Sequence, residues 1–181
     1  FVTFITLCSA GDHIVSAAQI YGSTATLLKN TLKRFDIDCT FVSINDSKAL
    51  TEAIQDNTKL VFCESIGNPG LEVSDLPAIS KIAHEYGLPV VVDATFATPS
   101  LCRPFDHGAD IIVHSVTKWM GGHGVAVGGA IVDGGAFDWG AHDKHPTLTE
   151  PYEPFHGISF WEEYGPSALV MRIRAESMRD L

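Results

Sequence analysis

One lysine and one aspartate stand at the ends of apolar runs, each among groups that could do chemistry with it. Lys118 follows Asp110-Ile-Ile-Val-His114 by way of Ser115-Val116-Thr117, and it is the only lysine between Lys81 and Lys144. Burial beside a core disfavours the charged ammonium, which would leave Lys118 a neutral amine able to form an imine with an aldehyde. Ser115 and Thr117 flank it with hydroxyls spaced to hold a phosphate, and Gly121, Gly122 and Gly124 let backbone approach a ligand. Asp93 closes the run Pro89-Val-Val-Val92. An unpaired carboxylate there is costly, and a cationic ring nitrogen is a partner that would explain it.

Other apolar runs end in the same way. Tyr21 adds a phenol, Asn68 an amide and Thr95 a hydroxyl, and Glu64-Ser-Ile-Gly-Asn-Pro69 opens with a second carboxylate. Singly, each has a plain reading. Lys118 would be a solvated lysine, Asp93 a helix cap or ion-paired acid, and Tyr21 an amphipathic residue at a strand end. Together, a lysine able to form an imine and an acid facing a pyridinium nitrogen are the pair that a pyridoxal 5'-phosphate (PLP) site requires.

The elements that must position these groups alternate along the chain. His13–Ala17, Cys39–Ser43, Lys59–Glu64, Pro89–Asp93, Asp110–His114 and Val125–Val132 read as strands, apolar on both faces. Between them the pattern predicts helices over about Ala25–Arg34, from an Asp46 cap to about Gln55, and from Ser74 or Asp75 to near Gly87. Such alternation predicts an α/β three-layer sandwich with a mostly parallel sheet. In such sheets ligands bind beyond the carboxyl ends of the strands, where the polar groups above are found. Gly134–Tyr164, broken by Pro146, Pro151 and Pro154, reads as an insertion over the surface or into an interface.

Composition narrows the partners. The 181 residues carry 12 Lys and Arg against 22 Asp and Glu, a net charge of −10, which argues against a nucleic-acid backbone. No apolar run nears the roughly 18 residues of a membrane span. Cys8, Cys39, Cys63 and Cys102 lie far apart without a CxxC pair, which predicts buried thiols in a reducing cytoplasm. The helical spacing of Phe1, Phe4, Ile5 and Cys8, without an initiator Met, and the helical pattern from Ala168 to Leu181 predict an internal piece of a longer protein.

Five ordered motifs resemble one family: Gly11-Asp-His-Ile14, Tyr21-Gly-Ser-Thr24, Glu64-Ser-Ile-Gly-Asn-Pro69, Asp93-Ala-Thr-Phe-Ala-Thr-Pro99 and His114-Ser-Val-Thr-Lys-Trp119. They are similar to the Cys/Met-metabolism PLP-dependent enzymes. Gly121-Gly-His-Gly124, Gly128–Asp133, Phe137-Asp-Trp139 and the insertion ending Phe155-His-Gly157 resemble its O-acetylhomoserine sulfhydrylase branch. The resemblance implies the large domain of fold type I, with residues 1–181 its central part and 134–164 the insertion. It implies PLP as cofactor, linked to Lys118, which also moves protons, with Asp93 on the pyridine nitrogen. Tyr21 would stack on the ring and assist proton transfer, and Asn68 would approach the ring hydroxyl or the substrate carboxylate. Ser115 and Thr117 would hold the phosphate, with Thr95 near the ring face. Ala94 stands where the family commonly has Asn.

The implied reaction is γ-replacement. O-acetyl-L-homoserine and sulfide or methanethiol would give homocysteine or methionine and acetate, in a cytoplasmic homotetramer built as a dimer of dimers. Three alternatives stay open. A γ-lyase or γ-synthase of the same family would share the cofactor, and a noncatalytic folding or assembly module would lack it. A metal site on His114, His123, His142, His145 and His156 is disfavoured, because their spacing matches no HxxxH or HExxH pattern.

Overall fold

The computed structural model describes residues 1–179; of the helical pattern expected at the end, Asp180 and Leu181 lie outside the described residues. Six strands form one sheet: β1 (His13–Ala17), β2 (Asp38–Val42), β3 (Thr58–Glu64), β4 (Val90–Asp93), β5 (Ile111–His114) and β6 (Ala130–Asp133). Their order is β2-β1-β3-β4-β5-β6, parallel throughout except that β6 runs antiparallel to β5. Every residue of β1 is buried, as a central strand covered on both faces requires. The chain leaves β1 toward β2, then returns past β1 to β3. The direction of winding therefore reverses between β1 and β3, and the parallel strands all point their carboxyl ends at one edge.

The helices fall into two packed groups. Helix α1 (Val2–Leu7) lies against α5 (Pro146–Thr149) and the helical turn Ile173–Ser177, which continues α6 (Ala168–Arg172). Helix α3 (Ser47–Ala53) lies against α4 (Leu76–Glu85). Both caps expected from the sequence form: Asp46 accepts from the N–H groups of Lys48 and Ala49 at 3.0 and 3.1 Å, and Asp75 from that of Ala78 at 3.2 Å. The helix expected over Ala25–Arg34 begins earlier, as α2 (Gly22–Thr26), and continues through a π turn and a 3-10 turn to Phe35.

The last strand is shorter than its apolar pattern. Val125 and Val127 are 86% and 95% exposed, and pairing begins only at Ala130. The Gly128 carbonyl accepts from both the hydroxyl and the N–H of Thr117, and the Gly128 N–H donates to that hydroxyl, so one residue rather than a ladder holds these backbone groups. The connection from β5 carries no crossover helix, and β6 returns antiparallel on the same edge. The segment 134–164 contains three short helical pieces and sends Trp139, Leu148 and Phe160 into the core. Trp139 is 1% exposed, its ring 5.0 Å from that of His145.

The four cysteines are free thiols, but only Cys8 and Cys63 are buried; Cys39 and Cys102, expected inside, are half-buried. Burial raises the Cys63 and Cys39 thiols to about 12, so neither is a nucleophile near neutral pH. Among the described residues, no helix is long and apolar enough to cross a membrane.

Candidate active site

A cavity of about 650 Å³ opens at the carboxyl edge of the parallel strands. It is lined by Tyr21 after β1, Glu64, Ile66 and Asn68 at the end of β3, and Asp93, Thr95 and Phe96 at the end of β4. Ser115, Thr117, Lys118, Trp119, Gly122 and Gly124, following β5, complete it. All seven residues singled out in the sequence therefore meet in one place. They come from four strand ends spread over 98 positions, and only the parallel sheet brings them together.

The polar groups are partly committed. Asp93 accepts from the Thr95 N–H through Oδ1 at 2.9 Å, which leaves Oδ2 for another donor. Thr95 in turn accepts from the Ser115 N–H at 2.8 Å and so joins the loops after β4 and β5. Thr117 donates its one hydroxyl proton to the Gly128 carbonyl at 3.1 Å. That hydroxyl holds the turn around Lys118 and must rotate before it can donate to an anion. Backbone crowding shapes the same turn, because a Cβ on Gly121 would lie 2.7 Å from the Val116 carbonyl oxygen.

Lys118 departs from expectation. The sequence pattern puts its amine beside the core, whereas the side chain is exposed. The strand before it is buried, but the chain has left the sheet by the third residue after His114, and Trp119 and Met120 are exposed with it.

Glu64, to which the sequence pattern assigns no role, is the buried acid of the site. It is 5% exposed, and its Oε1 and Oε2 accept from the N–H groups of Tyr21 and Asn68 at 2.7 and 3.1 Å. Desolvation pushes its carboxyl up to about 7, and the charge of Asp93 adds to the rise, against the pull of the two N–H groups. A sequence signal for it exists: Glu64 closes Lys59–Cys63 as Asp93 closes Pro89–Val92. Phe96 and Trp119, 6.3 Å apart and equally without a role in the sequence pattern, bring an aromatic wall to the cavity.

A single space within the usual volume of a cofactor pocket thus holds an amine, an acid with an uncommitted oxygen, the Ser115 hydroxyl and aromatic faces. This donor set fits PLP. Among the described residues, no group of three or more His, Cys, Asp or Glu could hold a metal ion.

Comparison with known proteins agrees with that chemistry. The chain is 46% identical to homocysteine synthase of Schizosaccharomyces pombe, over all of its own length and 43% of that protein's. It is 39% identical to O-acetyl-L-homoserine sulfhydrylase of Leptospira meyeri, over 99% of its length and 42% of that protein's. It therefore spans less than half of the curated relatives it matches. Among solved structures, O-acetylhomoserine sulfhydrylase of Wolinella succinogenes superposes with a TM-score of 0.83 at 37% identity, covering 99% of this chain and 48% of that one. A Campylobacter jejuni O-acetylhomoserine (thiol)-lyase carrying a pyridoxyl-lysine phosphate superposes at 0.95 with 35% identity, covering 99% and 45%. The expected fold type I architecture is the one observed. The model of the Cys/Met metabolism PLP-dependent enzymes matches residues 1–177, and the chain belongs to that family.

Proposed function

We propose that the protein carrying this chain replaces the acetate of O-acetyl-L-homoserine with sulfide or methanethiol, giving homocysteine or methionine. The observation that carries this reading is the convergence of Lys118 and Asp93 on one cavity, in a chain whose relatives bear sulfhydrylase and homocysteine synthase names. The carbon–oxygen bond at Cγ breaks, acetate leaves, and a carbon–sulfur bond forms at the same carbon. Bound in the cavity, PLP supplies an electron sink for negative charge developing on the substrate beside its amino group.

The chain's own residues do the rest. Lys118 would hold the cofactor through its aldehyde and, with its amine free, would take and return protons at the substrate's Cα and Cβ. Asp93 Oδ2 would accept from the ring nitrogen and keep it protonated, while the Thr95 N–H holds Oδ1. Tyr21 would cover the ring face and assist proton transfer. Asn68 would contact the ring hydroxyl or the substrate carboxylate, and Ser115, with Thr117 after rotation, would receive the phosphate. Phe96 and Trp119 help keep water from the reacting atoms. The same reading carries a cytoplasmic homotetramer, a dimer of dimers, whose mass sedimentation would measure.

Borohydride reduction of the full-length protein, followed by peptide mapping, is expected to place the pyridoxyl group on Lys118; label on Lys81 or Lys144 overturns the assignment. The rate with O-acetylhomoserine and sulfide is expected to exceed the rate of cystathionine cleavage. The reverse order moves the protein to the lyases.

A further inference from the structure

The backbone crosses itself tightly where the winding of the sheet reverses. The loop after β1 and the loop after β3 meet there, and a Cβ on Gly67 would lie 2.5 Å from the Gln19 carbonyl oxygen. A Cβ on Gly70 would lie 2.7 Å from the Gln19 side-chain Oε1, a flexible neighbour that could give way. Beneath this contact sits the Glu64 carboxylate, with one oxygen on the Tyr21 N–H and the other on the Asn68 N–H. Its own carbonyl is held by the Ser74 hydroxyl at 2.7 Å, so the main chain from which it projects is fixed.

The placement is expensive for the fold. Glu64 is in register with Asp93 on the neighbouring strand, which puts two acids side by side on one face of the sheet. Among the described residues, no cation lies within ion-pair distance of Glu64. Buried acids without a counter-charge lower stability unless hydrogen bonds compensate. Glu64 has two, and both go to residues that line the cavity.

We infer that Glu64 is a positioning residue, a clasp across the reversal point that fixes the backbone of Tyr21 and Asn68 and through it their side chains on the cofactor. This rests on the proposed function for the ligand, though not for the clasp geometry. Both oxygens are needed, because a carboxylate can accept from two N–H groups at once and a carboxamide only through one oxygen. Protonation of Glu64 disables the second acceptor in the same way, so the clasp loosens as pH falls through about 7. The other titratable groups around it are Asp93 on β4, Tyr21 after β1, Lys118 after β5 and Cys63 beside it on β3.

The test compares full-length wild type with Glu64→Gln, which keeps size and loses one acceptor, and Glu64→Asp, which keeps charge and loses reach. Hydrogen exchange of peptides containing Tyr21 and Asn68 is read in cofactor-free protein, and PLP release is followed by its absorbance. Roughly tenfold faster exchange confined to those peptides, with roughly tenfold faster release, is expected in both variants. Release from wild type should quicken between pH 8 and about 6, and release from Glu64→Gln should stay fast and flat. If Glu64→Gln does not fold, Glu64→Asp carries the test. Exchange and release equal to wild type, or exchange raised across the whole chain, overturns the clasp alone. Wild type that takes up no PLP overturns the proposed function and, with it, the positioning role.

Discussion

At the amino ends of the strands, Asp110, His13 and His145 are committed to protein partners. Asp110 Oδ2 accepts from His84 Nε2 and from the Val90 N–H, both at 2.8 Å. His13 sits between the hydroxyls of Thr58 and Thr40, each at 2.9 Å, and His145 donates through Nε2 to the Lys59 carbonyl at 2.9 Å. At the carboxyl ends the same sheet carries Glu64, Asp93, Thr95 and Ser115, and their neighbour Lys118, around an open cavity. One edge is largely paired, with Asp133 Oδ2, in register with the start of β5, left without a partner among the described residues, and the other keeps its capacity beside a cavity. Buried polar groups therefore do not by themselves mark a site. What marks it is capacity left unmatched beside a space that a ligand can fill.

The comparison predicts large activity losses with little destabilisation at the carboxyl edge, and the opposite at the amino edge. The largest effect is expected for Lys118→Ala, a roughly thousandfold loss of γ-replacement and no borohydride-fixed cofactor. Because Lys118 is exposed, the urea midpoint should correspond to a stability change of about 0.5 kcal/mol or less. Asp93→Asn should follow, with a roughly hundredfold loss in kcat and a shifted absorbance of the bound cofactor. A full-rate Asp93→Asn enzyme would erase the distinction between the two edges.

At the amino edge the effects are on stability. Desolvation against the Trp139 and Phe137 rings holds His145 neutral, lowering its pKa to about 4 from the ordinary 6.5; the Lys59 carbonyl opposes the shift. A folded value below the unfolded one means the stability is present above pH 6.5 and is lost as pH falls toward 4. The loss is on the order of 3 kcal/mol across that window. Denaturation of His145→Gln at pH 7.5 and 4.5 should show a flatter pH dependence than wild type. Asp110→Ala, which strands the Val90 N–H, should cost about 2 kcal/mol and leave the cofactor spectrum unchanged. The smallest effect belongs to His84, whose pKa is raised chiefly by the Asp110 hydrogen bond. Its contribution is full below pH 6.5 and lost as pH rises through the higher folded value, so Asp110→Ala should cost slightly less at pH 8 than at pH 6.

Much of this is legible in the order of the amino acids. Apolar runs of four to seven residues closing in acids, amides and hydroxyls announce strands buried on both faces, and a parallel sheet gathers their carboxyl ends. That is why Tyr21, Asn68, Asp93, Thr95, Ser115, Thr117 and Lys118 stand out, and why Asp46 and Asp75 read as caps. The run Val125–Gly129 misleads because its apolar pattern matches a strand, while Thr117, 11 residues away, holds the backbone groups of Gly128 through its hydroxyl and its N–H. The pattern of 134–164 likewise does not tell that Trp139 is a core residue.

By itself, the sequence determined most of the alternation of strands and helices, the caps, and the polar residues that close β3, β4 and β5. These depend on side-chain period and local hydrogen bonding, which act within a few residues. The tertiary structure alone decided that β3 lies beside β1, that β6 turns back antiparallel, and that Lys118 stands in solvent. It alone joined Glu64 to Tyr21, 43 residues away. Strand order sets which carboxylate meets which backbone N–H, and that order follows from how both faces of the whole sheet are covered rather than from any local pattern.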